Sequence, residues 1–379
     1  MDSSRAGVFI KQPSGYSSFV PNPLPPDPPI KMDQDMIYLL SDADMKLGRL
    51  DGITRTLPNP RLFVAMYVKK EAVLSSQIEG TQASLVDVLD DTIHSEKRES
   101  IDEVFSYVKA MHYGLERLED FPLSLRLIRE IHAELLSTGR GSEKNPGEFR
   151  TSQNWIGPTG CNLQTATFVP PTVPDMKDAI GQLELFFYNE DPIPPLIKIA
   201  MIHAQFETIH PFLDGNGRMG RLLITFLLCQ QHILSQPLLY LSYYFKQNKQ
   251  EYYDRLMDVR KKGLWEEWIS FFLKGVSSVS EEASNTAQDI LQLQSTCKDT
   301  IKTINKVKYN EAIDLLFETP YVSKASVGEH LMVTPPTASK IVDDLCLLGI
   351  LKDISPNSKR KKSYCFQEYM NILSRGTDI

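Results

Sequence analysis

Within the twelve residues HPFLDGNGRMGR, positions 210–221, stand a histidine, an aspartate and two arginines, spaced around a Gly-Asn-Gly turn. Gly215 and Gly217 remove side chains where a helix begins, so backbone N–H groups can approach an anion closely and the helix dipole adds positive potential. Arg218 and Arg221, three positions apart, share one helix face and can fork onto successive phosphates. Asp214 beside a phosphate would be repelled unless a cation lay between them, which marks it as a magnesium ligand. His210 is the one titratable base of the loop and suits proton removal from a hydroxyl. Together these parts describe in-line attack of a hydroxyl on a nucleotide phosphate, driven by positioning and charge neutralisation. Each part alone has a plainer meaning: a lone histidine after an apolar helix usually packs or caps, and Asp-Gly-Asn-Gly usually just turns.

The elements that must hold this loop are helical. Apolar periodicity predicts helices over residues 36–53, 58–80, 84–95, 101–118 and 124–139, then 178–189, 194–209, 218–232, 250–263 and 266–279, with a long polar helix over 277–304. The loop therefore lies between two apolar helices. Residues 21–30, PNPLPPDPPI, carry too much proline for helix or sheet and predict an extended polyproline segment. Residues 147–175 are rich in Gly, Pro, Asn and Thr, with NWIG and ATFVPP as strand-like pieces, and predict a short hairpin or irregular flap. From residue 305 the order is helix, helix, a Thr334-Pro335-Pro336 start, a third helix ended by Gly349, then two strands around a basic turn: a winged helix-turn-helix.

The loop matches His-x-Phe-x-(Asp or Glu)-Gly-Asn-Gly-Arg-x-x-Arg at His210, Phe212, Asp214, Gly215, Asn216, Gly217, Arg218 and Arg221, and on it the chain resembles the Fic family. Eight specified positions would coincide by chance in about one in 10^8 chains of this length. The resemblance implies a mainly α Fic-type core with a β-hairpin flap, and transfer of AMP from ATP to a Ser, Thr or Tyr hydroxyl of a target protein. It implies His210 as base, Asp214 as the Mg2+ ligand, Asn216 with the Gly215 and Gly217 backbone at the α-phosphate, and Arg218 and Arg221 at the outer phosphates. Relatives that phosphorylate carry lysine at the second glycine, where this chain has Gly217. The stretch YYFKQNKQEYYDRL resembles the region closing over adenine, making Asn248, Tyr252 and Tyr253 candidates, although tyrosines at this spacing are more often core.

A second signal is SSQIEG, residues 75–80. A carboxylate in the last turn of a helix opposes the dipole at a cost of about 0.3–1 kcal/mol, so Glu79 needs an offsetting partner. Ser75, Glu79 and Gly80 resemble the family's inhibitory helix, (Ser or Thr)-x-x-x-Glu-(Gly or Asn). The resemblance implies that Glu79 pairs with Arg221, occupies the fork a γ-phosphate needs, and leaves the enzyme off by default with Ser75 in support.

The 379 residues exceed one ordinary core, and the expected division is 1–100 with the inhibitory helix, 101–275 as catalytic core, 276–304 as connector and 305–379 as winged helix. The longest apolar run, Leu222 to Cys229, cannot span a bilayer, the N-terminus lacks a signal-peptide layout, and five scattered cysteines suggest neither disulfides nor zinc, so a cytoplasmic, membrane-free protein is expected. From residue 301 onward, 11 Lys and Arg against 9 Asp and Glu give +2, within a chain of net charge -7. Thr337, Ser339 and Lys340 on the third helix and Lys359, Arg360, Lys361 and Lys362 in the wing suit DNA; a protein contact or homodimer support fits the same segment equally well. Self-modification is a further expectation. The alternative function is a DNA-binding regulator whose core senses nucleotide; an intact base at His210 favours the enzyme.

Overall fold

The structure is a computed structural model that describes residues 4–89, 98–302, 307–355 and 362–375. It is mainly helical and falls into two compact units, Met1–Gly48 with Tyr67–Ser280, and Arg49–Met66 with Glu281–Ile379.

The first unit opens on an element that periodicity did not reveal, an antiparallel hairpin of β1 (Gly7–Lys11) and β2 (Ser17–Pro21) with Phe9 opposite Phe19. Two five-residue strands are marginal alone in water. Here Phe19 is fully buried, sits edge-on to Phe9 at 4.9 Å and lies 5.9 Å from Phe168, and its N–H donates to the Val169 carbonyl at 3.0 Å. The stabilising partner is thus distant in sequence.

Helices α1 (Gln34–Thr54) and α2 (Pro60–Ile78) follow; Asn59 Oδ1 accepts from the Leu62 N–H at 3.0 Å and starts α2. The second helix stops at Ile78, so Glu79 lies in the turn beyond it rather than in its last turn, with Gly80 at φ 97°. Of the helix expected over 84–95, α3 covers Leu85–Leu89; residues 90–97 lie outside the described residues. Then come α4 (Arg98–Asp120), α5 (Leu125–Leu135), α6 (Val173–Phe187), α7 (Pro195–Ile209), α8 (Asn216–Gln230), α9 (Ser242–Gln247) and α10 (Lys249–Lys262). The two helices expected over 266–304 are one, α11 (Trp265–Ile301), because only Gly275 interrupts the run and one glycine does not break a helix. The expected flap hairpin is reduced to a single antiparallel bridge, Ile156 with Phe168; its prolines deny the ladder its donors.

The core centres on α7, buried all round from Leu196 to Ile209. Its polar side chains are therefore obliged to find partners. Lys198 Nζ donates to the Phe187 and Asn189 carbonyls at 3.1 and 2.8 Å, Gln205 to the Asn22 carbonyl at 2.7 Å, and Thr208 to the Ala204 carbonyl at 2.8 Å. The Gln205 bond fixes the proline-rich segment near its start.

In the second unit, α12 (Val307–Glu318), α13 (Lys324–Leu331) and α14 (Pro335–Leu347) pack with β3 (Tyr321–Val322), β4 (Lys352–Asp353) and β5 (Tyr364–Cys365) in the order β3-β5-β4, and α15 (Gln367–Ser374) closes the chain. This is the expected order of three helices and two strands, with a third strand, β3, and a final helix, α15, added. Thr337 and Lys340 are exposed on α14, Ser339 accepts from Lys324 Nζ at 2.8 Å, and Lys362 pairs with Asp353 at 2.8 Å. Lys359, Arg360 and Lys361 lie outside the described residues.

Candidate active site

The candidate loop joins α7 to α8. His210 ends α7 in the left-handed conformation (φ 50°, ψ 61°), and Gly215 caps α8 at φ 74°. The first α8 bond runs from the Met219 N–H to the Gly215 carbonyl at 2.9 Å, leaving the first-turn amides without intrahelical partners, as an anion cradle requires.

The loop is held from several directions. Asn216 spends its carboxamide on Phe212, whose N–H donates to Oδ1 while Nδ2 donates back to the Phe212 carbonyl, both at 2.8 Å. What Asn216 leaves for a ligand is its backbone. Phe212, fully buried, stacks on His132 at 3.6 Å. The Gly147 N–H donates to His132 Nδ1 at 2.9 Å, which puts the ring proton on Nε2, and that nitrogen donates to the Asp214 carbonyl at 3.0 Å. Burial holds the His132 pKa down at about 4, so the ring is neutral. Arg150, 1 % exposed, donates to the carbonyls of His210 (3.0 Å), Ser152 (3.2 Å) and Pro171 (2.5 Å), and Asn154 Nδ2 donates to those of His210 (3.1 Å) and Phe212 (2.9 Å). These two residues tie the flap to the loop. Sequence reasoning missed His132, Arg150 and Asn154; polar residues in otherwise apolar or turn-rich stretches were the available signal.

Of the motif residues, His210, Gly217 and Arg221 line a cavity of about 590 Å³ together with Glu79 and Glu207, whereas Asp214, Asn216 and Arg218 do not line it. The lining also includes the apolar Ile156, Phe168, Leu256 and Met257, the aromatic Tyr252 and Tyr253, and the cationic Lys249 and Arg260. His210 is partly buried, and no described residue bonds its Nδ1. Burial first, then Arg260, lowers its pKa to about 4, so the imidazole is unprotonated at neutral pH. Arg221, 2 % exposed, donates from Nε to Ser75 Oγ at 2.8 Å and from Nη2 to the Ser75 carbonyl at 3.0 Å and Glu79 Oε1 at 2.7 Å. Burial would raise the Glu79 carboxyl, but Arg221, then Arg218 and His210, more than offset that and lower it. Gly217 makes the approach feasible, since a Cβ there would lie 2.2 Å from Glu79 Oε1. Arg140 fixes the same residue by donating to the Glu79 carbonyl at 3.1 Å.

Arg218 is 1 % exposed, lies 3.5 Å from Glu103 and 3.6 Å from Asp214, and receives no hydrogen-bond partner for its three nitrogens among the described residues. A buried guanidinium with ion-pair neighbours but unfilled donors is suited to an incoming anion. Asp214 Oδ1 accepts from the Gly215 N–H at 2.5 Å, and among the described residues no group of three His, Cys, Asp or Glu side chains could hold a metal. That donor set fits a magnesium ion that keeps its waters and takes phosphate oxygens, and does not fit a protein-caged ion.

Of the adenine-side candidates, Tyr252 and Tyr253 line the cavity, and Asn248 does not; its side chain donates to the Tyr244 carbonyl at 3.0 Å. Tyr252 is also core, stacked on Phe245 at 4.4 Å with its hydroxyl 2.9 Å from His203 Nε2. Tyr252 thus lines the cavity and packs in the core at once.

The fold and loop define a Fic-type protein. The Fic/DOC family N-terminal model matches residues 37–116 and the Fic/DOC family model residues 122–228; the chain belongs to that family. It is 28 % identical over 226 residues to the protein adenylyltransferase Fic of Aedes aegypti (56 % of this chain, 40 % of that protein). It is 31 % identical over 158 residues to that of Culex quinquefasciatus (41 % and 27 %). The chain thus spans less than half the length of these relatives. Among solved structures, a Fic family protein from Desulfovibrio desulfuricans G20 shares the fold with TM-score 0.59 at 19 % identity, over 89 % of this chain and 97 % of that one. A Fic domain containing signaling protein from Bacteroides thetaiotaomicron VPI-5482 does so with TM-score 0.53 at 15 %, over 66 % and 97 %. No described helix is long and apolar enough to cross a membrane.

Proposed function

We propose that the protein is an adenylyltransferase that moves AMP from ATP to a hydroxyl of a target protein and is held off by Glu79. The observation that carries this reading is the single cavity onto which His210, the Gly217 turn and Arg221 open together. In the proposed reaction His210 takes the proton of a Ser, Thr or Tyr hydroxyl, and that oxygen attacks the α-phosphorus. The bond from the α-phosphorus to the bridging oxygen breaks, and pyrophosphate leaves with the bonding pair. The first-turn amides of α8 receive the α-phosphate charge, and Arg218 and Arg221 take the outer phosphates. Asp214 would hold magnesium, which supplies further neutralisation of phosphate charge. Phosphate charge arriving near His210 raises its basicity from the depressed value of the free protein.

Inhibition follows from competition for one guanidinium. With Glu79 on Arg221 at 2.7 Å, an outer phosphate meets a carboxylate in place of a fork, and the α-phosphorus is turned from the hydroxyl. Incubation with labelled ATP and lysate, for wild type, Glu79→Gly and Glu79→Gly with His210→Ala, tests the proposal. Strong labelling by Glu79→Gly and none after loss of His210 is expected. Equal labelling with and without His210 would refute the chemistry.

A further inference from the structure

Glu207 breaks the rule that every polar side chain of α7 has its partner. It lies one helical turn before His210, is 6 % exposed, and lines the cavity, yet no described residue donates to its Oε1. Arg260 Nη2 bonds the Glu207 backbone carbonyl at 3.0 Å and leaves the carboxyl alone. A buried acceptor without a donor weakens a fold by roughly 1–3 kcal/mol, so its persistence asks for a donor from elsewhere.

The packing makes room for this acid at a further expense. Gly220 sits inside α8, where glycine is less stable than alanine by about 0.5–1 kcal/mol. A Cβ at Gly220 would lie 2.5 Å from Glu207 Oε1. The carboxyl is therefore accommodated, and nothing in the protein bonds its Oε1. Its place lies beside Gly220, the α8 residue preceding Arg221, and it lines the same cavity as the apolar Leu256 and Met257. A nucleotide with its phosphates on the α8 turn and its base on that wall brings its ribose and base edge past this point. Burial raises the carboxyl to about 7, with Arg221 drawing it back down; a donor from the ligand would favour the ionised form.

We infer that Glu207 is a nucleoside-binding residue, whose carboxylate accepts a hydrogen bond from a ribose hydroxyl or the base amino group of the bound nucleotide and so helps select it. The inference rests on the nucleotide reading above. It is tested on the full chain carrying Glu79→Gly, with and without Glu207→Leu or Glu207→Gln, by calorimetric titration with ATP, 2′-deoxyATP, 3′-deoxyATP and purine riboside triphosphate. The parent is expected to bind at least one analogue about 10-fold more weakly than ATP, and Glu207→Leu to erase that difference. Loss of a deoxy difference assigns the ribose, and loss of the purine difference assigns the base amino group. Ratios unchanged within twofold in Glu207→Leu overturn the inference. So does a ligand-free Tm several degrees lower in both variants, because a side chain without an internal partner should leave the apo fold as stable or more so. If the parent binds no ATP, the nucleotide reading itself fails; if it binds ATP while the ratios ignore Glu207, only the role of Glu207 fails.

Discussion

Glu79 and Gly217 act as a pair. The carboxylate reaches Arg221 only because residue 217 lacks a Cβ, which would stand 2.2 Å from Glu79 Oε1. Glu79→Gly is expected to raise target labelling at least about 10-fold, corresponding to about 1.4 kcal/mol of barrier. Gly217→Ala should prevent the same contact, so adding Glu79→Gly to it should bring no further gain in ATP affinity by calorimetry; additive gains would show that the two do not meet. His132 offers a different check. It stacks on Phe212 and donates to the Asp214 carbonyl at 3.0 Å without lining the cavity. In the Glu79→Gly background, His132→Leu should lower stability by about 1–3 kcal/mol in urea and slow labelling while leaving the pH profile of the reaction in place. A shifted profile would make it a titrating participant.

At the scale of elements, the flap is a loop stiffened by its surroundings. One bridge of its own is supplemented by Arg150 and Asn154 below, by Arg260 over the Phe168 ring at 4.1 Å, and by the N-terminal hairpin through Phe19. Removing Phe19 takes away a fully buried ring and loosens the hairpin together with the flap strand it supports. Phe19→Ala is expected to speed limited proteolysis between Gly157 and Thr167 about 10-fold or more, with far-UV circular dichroism nearly unchanged. Unaltered cleavage would mean that the flap stands without the hairpin. This hairpin could not be read from its strands, because what stabilises it is Phe168, 149 residues on from Phe19. The helices were legible, since an apolar stripe is a local property.

For the first unit as a whole, buried histidines and buried acids oppose each other. Burial holds His132 and His210 at about 4 and His203 at about 3, against 6.5 when unfolded. Between those limits the unfolded chain takes up three protons that the fold refuses, so their contribution is intact above 6.5 and is lost as pH falls. Glu71 and Glu207, raised by burial to about 7 from 4.5, work the other way: the fold keeps their protons, and that contribution is lost as pH rises toward 7. From pH 6.5 to 4.5 the balance is one proton in favour of the unfolded chain, and stability should fall by about 1.4 kcal/mol per pH unit. Between about 4.5 and 4 the acids no longer compensate and the slope should steepen to about three times that, until His132 and His210 take up protons in the fold as well. All three tryptophans, Trp155, Trp265 and Trp268, lie in this unit, so urea melts followed by their fluorescence at pH 7, 5.5 and 4 read it directly. A flat profile would contradict the buried-histidine arrangement.

By itself the sequence determined most of the helices, though not α9 or α15, the order of three helices and two strands in the tail, and the identity of the loop at 210–221, because periodicity, caps and a contiguous motif are carried by neighbouring residues. It also singled out Glu79 from a short pattern, but placed that acid inside the last turn of a helix that ends one residue before it, at Ile78. Tertiary structure supplies the 2.7 Å contact of Glu79 with Arg221 that the resemblance implied, and alone decided that Asn216 holds Phe212 with its side chain, that Arg150 and His132 support the loop, and that Glu207 is buried without a donor to its Oε1. Each of these depends on groups 60 or more residues apart or on the choice of which hydrogen bond a side chain makes. Such choices are settled by burial, where an unmet polar group is expensive, and burial exists only once the helices have packed.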